Sequence, residues 1–77
     1  MTIRIEYCVI WNYEPRALSL RDELSSKFGE IAELKPGDRG AFEVFLNNSL
    51  VFSKLRDDRF PDNQEIVLFI EGVLNVT

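Results

Sequence analysis

The only cysteine of this 77-residue chain, Cys8, is the residue best suited to nucleophilic or redox chemistry. It lies in a short loop between an apolar segment and Pro15, and proline favours the first turn of a helix. A cysteine between a first strand and a first helix is typical of thiol-redox folds, whose usual motif is Cys-x-x-Cys. The position three residues after Cys8 holds Trp11. The loop therefore has one thiol and cannot form a disulfide within the chain.

The composition argues against several other kinds of site. There is no histidine, the commonest general base, and one cysteine cannot supply the ligands of a zinc site. The formal net charge of -4 argues against binding to nucleic acid or to an anionic membrane, because both attract clustered Lys and Arg. The sequence has neither a membrane-spanning apolar run nor a leader-like N-terminal segment. We therefore expect a cytoplasmic protein without a membrane contact, a metal ion or a bound cofactor.

The spacing of apolar residues predicts the elements that position the loop. Alternation from Ile3 to Tyr7 indicates a strand with one buried face, and residues 15–28 have the apolar stripe of a helix. The remaining elements are predicted as a strand at 30–35, strands at 41–46 and 50–55 joined by Asn47-Asn48, and a helix from Asp62 to about Asn75. In the last helix the apolar stripe consists of Ile66, Phe69, Ile70, Val73 and Leu74, and the first four of these are the predicted core residues.

The order β-α-β-β-β-α predicts an α/β protein, in detail an α+β two-layer sandwich. Its four-stranded mixed sheet has both helices on one face, and residues 1–77 form a single domain. A two-residue turn at Asn47-Asn48 pairs Val44 with Val51. That register leaves an apolar patch on the open face of the sheet, which is a candidate surface for a homodimer and consists of Phe45, Leu50 and Phe52.

Several segments, in order along nearly the whole chain, resemble the selenoprotein W-like (Rdx) family, which has a compact thioredoxin-like fold. These segments are Glu6-Tyr7-Cys8 with Tyr13, Arg16-Ala17 with Leu20, Leu24 and Phe28, Gly40 to Val44, Leu50 to Lys54, and Arg59 to Asp62. Members have Cys-x-x-Cys or Cys-x-x-selenocysteine in the loop. The resemblance implies thiol oxidoreductase chemistry in cell redox homeostasis, with glutathione as a candidate co-substrate. It places Cys8 at the first position of the motif and Trp11 at the second.

Trp11 makes the motif a degenerate Cys-x-x-Cys and leaves three interpretations open. In the main prediction the protein is a non-catalytic binding or assembly module whose protein partner contacts Trp11 and Tyr13. In the alternative, Cys8 is catalytic as a monothiol and forms mixed disulfides with glutathione or a partner protein, with Arg16 and Lys54 as the candidate cations that favour the thiolate. In the third, Cys8 is a small buried apolar residue and Trp11 fills the loop.

Overall fold

The computed structural model describes residues 1–75 and confirms the two-layer α/β architecture. The elements in chain order are β1 (Ile3–Tyr7), α1 (Glu14–Phe28), β2 (Glu33–Pro36), β3 (Phe42–Leu46), β4 (Ser49–Ser53), α2 (Lys54–Asp57) and α3 (Asn63–Leu74). The strands form one sheet in the order β2-β1-β3-β4, in which β1 is parallel to β2 and antiparallel to β3. The short helix α2 replaces the end of the predicted strand 50–55 and the start of the segment after it, because four residues are too few to show a helical period.

The two long helices pack on the same face of the sheet, as predicted. Both contribute to one hydrophobic core with the inward residues of the strands. The buried residues of this core include Ile3, Ile5, Phe42, Val44, Ala17, Leu20, Leu24, Ile66 and Ile70. On the opposite face of β1, Arg4 and Glu6 form an ion pair with an Nε–Oε2 distance of 2.9 Å. The alternation of β1 therefore separates a covered face from an open one, as the sequence predicts.

Helix α1 closely matches its prediction. It begins at Glu14, with Pro15 in its first turn, and is followed by Gly29. Gly29 has a left-handed φ of 71°, and its N–H donates to the Ser25 carbonyl at 2.9 Å. Helix α1 therefore starts directly after the loop that contains Cys8.

The hairpin of β3 and β4 corrects the predicted register. Asn47 and Asn48 both have positive φ, as the tight turn requires, and Leu46 pairs with Ser49. Further from the turn a β-bulge shifts the pairing, so that Val44 lies opposite Phe52 and not opposite Val51. Phe52 is consequently 3% exposed and belongs to the core. The predicted position of Phe52 on the open face is wrong, because one extra residue in a strand reverses the side to which later side chains point.

The apolar patch on the open face is therefore smaller than predicted. Phe45 is half-buried, with the Arg4 guanidinium 4.2 Å from its ring centroid, and Leu50 is exposed. With Phe52 in the core, only Phe45 and Leu50 remain of the three residues. A homodimer through this face stays a prediction.

The core face of α3 is also narrower than the sequence predicts. Ile66, Val67 and Ile70 are buried, while Phe69 is 50% exposed and Val73 is exposed as well. Leu74, the last residue of the predicted stripe, is likewise exposed. The prediction that Phe69 and Val73 are core is wrong. Helix α3 packs mainly against α1 and β4, so its neighbours cover one narrow side of it.

The carboxylate of Glu43 connects β3 to the start of α2. It accepts hydrogen bonds from the Ser53 hydroxyl, from the Lys54 N–H at 2.8 Å and from the Phe42 N–H at 3.3 Å. Ser53 is itself buried, and its hydroxyl oxygen accepts from the Arg56 N–H at 3.0 Å, so the hydroxyl proton depends on the Glu43 carboxylate for an acceptor.

We expect Glu43→Ala to lower the free energy of unfolding by about 1–3 kcal/mol, because buried donors lose their acceptor. Glu43→Gln, which keeps one acceptor oxygen, should cost less. Urea unfolding followed by circular dichroism measures both variants against the wild type. Equal stability of wild type and Glu43→Ala would show that these hydrogen bonds do not stabilise the fold.

Candidate functional site

The loop that contains Cys8 is closed by hydrogen bonds of its own backbone. The Cys8 N–H donates to the Ala41 carbonyl at 2.9 Å, directly before β3. Within the loop, the Asn12 N–H donates to the Val9 carbonyl at 3.0 Å and the Tyr13 N–H donates to the Cys8 carbonyl at 3.1 Å. Cys8 is therefore held between the end of β1, the start of α1 and the segment that leads into β3.

The Cys8 thiol is surrounded by backbone donors. The Trp11 N–H donates to Sγ at 3.4 Å, and the backbone N–H groups of Ile10 and Gly40 add to the effect of this donor on the thiol pKa. The residue is 1% exposed, so these donors act on a sulfur that is shielded from solvent. Several N–H groups that converge on one atom form a concave anion site, which favours a thiolate.

These surroundings lower the pKa of the Cys8 thiol below its ordinary value. Burial is the largest single influence and by itself raises the pKa, because it disfavours the charged form. The hydrogen bonds from Gly40, Trp11 and Ile10, together with the charge of Arg39, outweigh it. The thiolate, which is the nucleophilic form of cysteine, is therefore populated at lower pH than in an ordinary thiol.

The Trp11 side chain lies against Gly40, on the donor loop of the thiol. A Cβ atom at Gly40 would be 3.1 Å from Cζ3 of the indole, and Gly40 has a positive φ of 77°. Both the close approach and the left-handed backbone favour glycine at this position. The indole is 53% exposed, so it covers the Gly40 loop on one side and faces solvent on the other.

Tyr13 and Phe60 extend the aromatic surface away from the thiol. The ring centroids of Trp11 and Tyr13 are 6.2 Å apart, and those of Tyr13 and Phe60 are 4.7 Å apart, both edge to face. We call Trp11, Tyr13 and Phe60 the aromatic row. The Arg16 guanidinium lies 4.1 Å from the Phe60 centroid, and Lys54 Nζ lies 5.2 Å from it. The aromatic row therefore has cations at the end that is remote from Trp11.

The tip of the Cys8 loop exposes three consecutive apolar side chains. Ile10 is 74% exposed, and Val9 and Trp11 are more than half exposed. Apolar side chains next to one another at a loop tip are unusual on a free surface and are typical of a contact site. The sequence prediction included Trp11 in such a surface but not Val9 and Ile10.

The structure brings the predicted site residues Cys8, Trp11 and Tyr13 together in one loop. It changes the assignment of the cations, since Arg16 and Lys54 contact the aromatic row and neither contributes to the shift in the Cys8 pKa. Arg39, which acts on the thiol together with Gly40, was missed. The signal that identifies these two residues is topological. Because β1 and β3 are antiparallel, the segment before β3 must lie beside the residue that follows β1.

Two other kinds of feature are not found in the part of the chain that the structure describes. Residues 1–75 contain no group of three Cys, Asp or Glu side chains placed to hold a metal ion. Among the same residues, no helix is long and apolar enough to span a bilayer.

The sequence is similar to those of several known proteins. The model of the Rdx family matches residues 2–71. Migration and invasion enhancer 1 from Bos taurus is 34% identical over 74 residues, which cover 95% of this chain and 64% of that protein. Selenoprotein W from Ovis aries is 34% identical over 68 residues, which cover 83% of this chain and 78% of that protein. The chain thus spans less than two thirds of the length of the first of these relatives.

The fold is similar to that of two crystal structures. A selenoprotein W-related protein from Vibrio cholerae superposes with a TM-score of 0.89 at 26% identity, over 96% of both chains. A protein from Bordetella parapertussis superposes with a TM-score of 0.84 at 29% identity, over 92% of this chain and 94% of that one. Both matches extend over more than nine tenths of this chain.

Proposed function

The chain belongs to the Rdx family of redox-related, thioredoxin-like proteins, and we propose that within it this protein exchanges disulfides through the single thiol of Cys8. The observation that supports this proposal is the convergence of the Ile10, Trp11 and Gly40 N–H groups on Cys8 Sγ. A small buried apolar cysteine needs no such donors, whereas a thiolate is stabilised by them.

The proposed reaction uses an external disulfide, either oxidised glutathione or a disulfide of a partner protein. The Cys8 thiolate attacks one sulfur, a new bond forms to it, the original S–S bond breaks, and the other sulfur leaves as a thiolate that takes a proton from solvent. The product is a mixed disulfide on Cys8. Since Trp11 supplies no second thiol, a thiol from outside the chain must attack the mixed disulfide and restore Cys8.

The burial of Cys8 makes access a separate requirement from ionisation. Cys8 is 1% exposed, so its sulfur cannot reach the sulfur of an external disulfide unless the loop moves. The side chains that lie outermost there are Ile10 and Trp11. We infer that a partner that contacts them opens the path to Cys8, and that exchange with a small disulfide alone is slow.

The pH dependence of alkylation tests the state of the thiol. Because the pKa of Cys8 is lowered in the folded protein, the thiolate is populated at lower pH than in the urea-unfolded chain. We therefore expect the rate of alkylation by iodoacetamide to reach half of its plateau value at a lower pH in the folded protein than in the urea-unfolded chain. Oxidised glutathione should add one glutathionyl group, visible by mass spectrometry, to the wild type and none to Cys8→Ser.

Two charge variants serve as a matched pair for this measurement. Arg39→Gln removes a charge that acts on the thiol and should shift the alkylation profile towards higher pH. Lys35→Gln removes the same charge from β2 and should leave the profile unchanged. If the pH midpoint of alkylation in the folded protein equals or exceeds that in the unfolded chain, the proposed monothiol function is refuted.

A second candidate function is a binding module without redox chemistry, favoured by the exposed apolar tip of the loop. In that case Trp11→Ala weakens binding to a protein partner while Cys8→Ser leaves it intact. In the monothiol case Cys8→Ser removes the covalent complex. We propose the cytoplasm as the site of either function, since a single unpaired thiol stays reduced there.

A further inference from the structure

Two of the six arginines of the chain differ from the others in that they have no acidic partner among residues 1–75. Four arginines form ion pairs with carboxylates, and these are Arg4, Arg21, Arg56 and Arg59. The two that form none are Arg16, which lies over the Phe60 ring, and Arg39, which acts on the Cys8 thiol. The chain has 13 acidic and 9 basic residues, so the lack of ion pairs at these two arginines is not a result of a shortage of carboxylates.

Arg16 and Lys54 are arranged around Phe60. The Arg16 guanidinium lies over the Phe60 ring, and Lys54 Nζ lies 5.4 Å from the Tyr13 centroid and 5.2 Å from that of Phe60. The residue nearest to Arg16 in sequence that has a carboxylate is Glu14. It is positioned to accept from the Tyr7 hydroxyl at 3.5 Å and forms no ion pair with Arg16. Both cations therefore keep their charged groups available to a ligand from outside the chain.

A groove of about 320 Å³ lies beside Arg16. Its apolar lining includes Phe42, Phe60, Pro15 and Pro61. The amide of Asn63 donates to the Ser19 hydroxyl at 2.9 Å, so that α1 and α3 are joined along it. The volume of the groove is at the lower end of the range for ligand sites and leaves room for an apolar side chain of a peptide.

We propose that this groove, with Arg16 and Lys54, binds an acidic segment of a partner protein, with one apolar side chain in the groove and carboxylates on the two cations. The charges select the occupant. Unpaired cations beside an apolar groove are complementary to a peptide with acidic residues on either side of an apolar one, and they repel a basic peptide. The inference rests on the proposed function in one respect, because the bound segment is the one that presents its disulfide to Cys8.

The groove is connected to the thiol by side chains in contact. Phe60 packs on Tyr13, Tyr13 on Trp11, and Trp11 on Gly40, whose N–H hydrogen-bonds to Cys8 Sγ. A segment that lies along the aromatic row therefore reaches from Arg16 and Lys54 to the Trp11 side chain that covers the donor loop. Binding at one end of the row and opening of the loop at the other are consistent with one extended occupant.

The test uses a blocked, thiol-free octapeptide with a central leucine flanked by glutamates. Its controls have the glutamates replaced with glutamines or lysines. Titration into the ¹⁵N-labelled protein should give saturable shifts of the amide signals of Arg16, Lys54 and Phe60 with the glutamate peptide. The glutamine peptide should bind more weakly and the lysine peptide not at all.

Matched variants locate the binding site. Arg16→Ala and Lys54→Ala should each weaken binding about threefold, and the double variant about tenfold. Arg21→Ala on the same helix, and Lys27→Ala at the other end of that helix, remove equal charge and should leave the affinity unchanged. Cys8→Ser should bind as the wild type does, so that the result is independent of the exchange reaction.

Three outcomes would overturn the proposal. These are equal binding of the glutamate and lysine peptides, no saturable binding of the glutamate peptide, and shifts that map to the C-terminal half of α3 or to the open face of the sheet. None of them would affect the alkylation profile of Cys8. Conversely, a thiol with an ordinary alkylation profile would refute the exchange reaction and leave the peptide result standing.

Discussion

Replacing Trp11 with cysteine is expected to convert Cys8 from a thiol that holds a mixed disulfide into one half of an intramolecular disulfide. The Trp11 N–H lies 3.4 Å from Cys8 Sγ, so the loop already brings the backbone of the second position next to the sulfur. A thiol on that backbone attacks the mixed disulfide and releases glutathione. Because the reaction is within one loop, the steady-state amount of glutathionyl adduct should fall by roughly tenfold or more.

Trp11→Ser is the matched control for this experiment. It removes the indole from Gly40 in the same way but supplies no second thiol, so its mixed disulfide should persist. After exposure to oxidised glutathione, mass spectrometry should show loss of two hydrogen atoms in Trp11→Cys and a glutathionyl adduct in Trp11→Ser. Persistent adducts on Trp11→Cys would mean that the loop does not allow the two sulfurs to meet.

Replacing Phe42 with alanine should lower the free energy of unfolding by about 3–5 kcal/mol. Phe42 is 2% exposed in the centre of the core, and its ring also lies 5.4 Å from that of Phe60. Small domains have total stabilities of about 5–15 kcal/mol, so the variant should be close to its unfolding midpoint in mild urea.

Phe69→Ala provides the comparison, because the sequence pattern and the structure disagree about this residue. The helical stripe predicts a core position, for which alanine costs several kcal/mol. The structure has the side chain 50% exposed, for which we expect a change of less than about 1 kcal/mol. Urea unfolding of both variants decides between the two interpretations. Equal destabilisation by Phe42→Ala and Phe69→Ala would show that α3 packs on the sheet in another orientation, with Phe69 in the core.

Local patterns in the sequence were enough to predict most of the fold. The alternation of Ile3 to Tyr7 requires one covered face, Pro15 and Gly29 mark the two ends of α1, and Asn47-Asn48 accepts the positive φ of the turn. Each of these signals depends only on neighbouring residues. The β-bulge that buries Phe52 has no comparable local signal, because it depends on how β3 and β4 fit against the helices.

For the candidate site, the sequence by itself determined that there is one thiol, that it follows β1, and that Trp11 excludes a dithiol cycle. Only the tertiary structure decided what surrounds that thiol. Arg39 and Gly40 are distant from Cys8 in sequence, and the antiparallel pairing of β1 with β3 brings them to it. The same pairing adds Gly40 and Arg39 to the local donors Ile10 and Trp11 in lowering the pKa of the Cys8 thiol, because hydrogen bonds and charges of this kind act only over short distances.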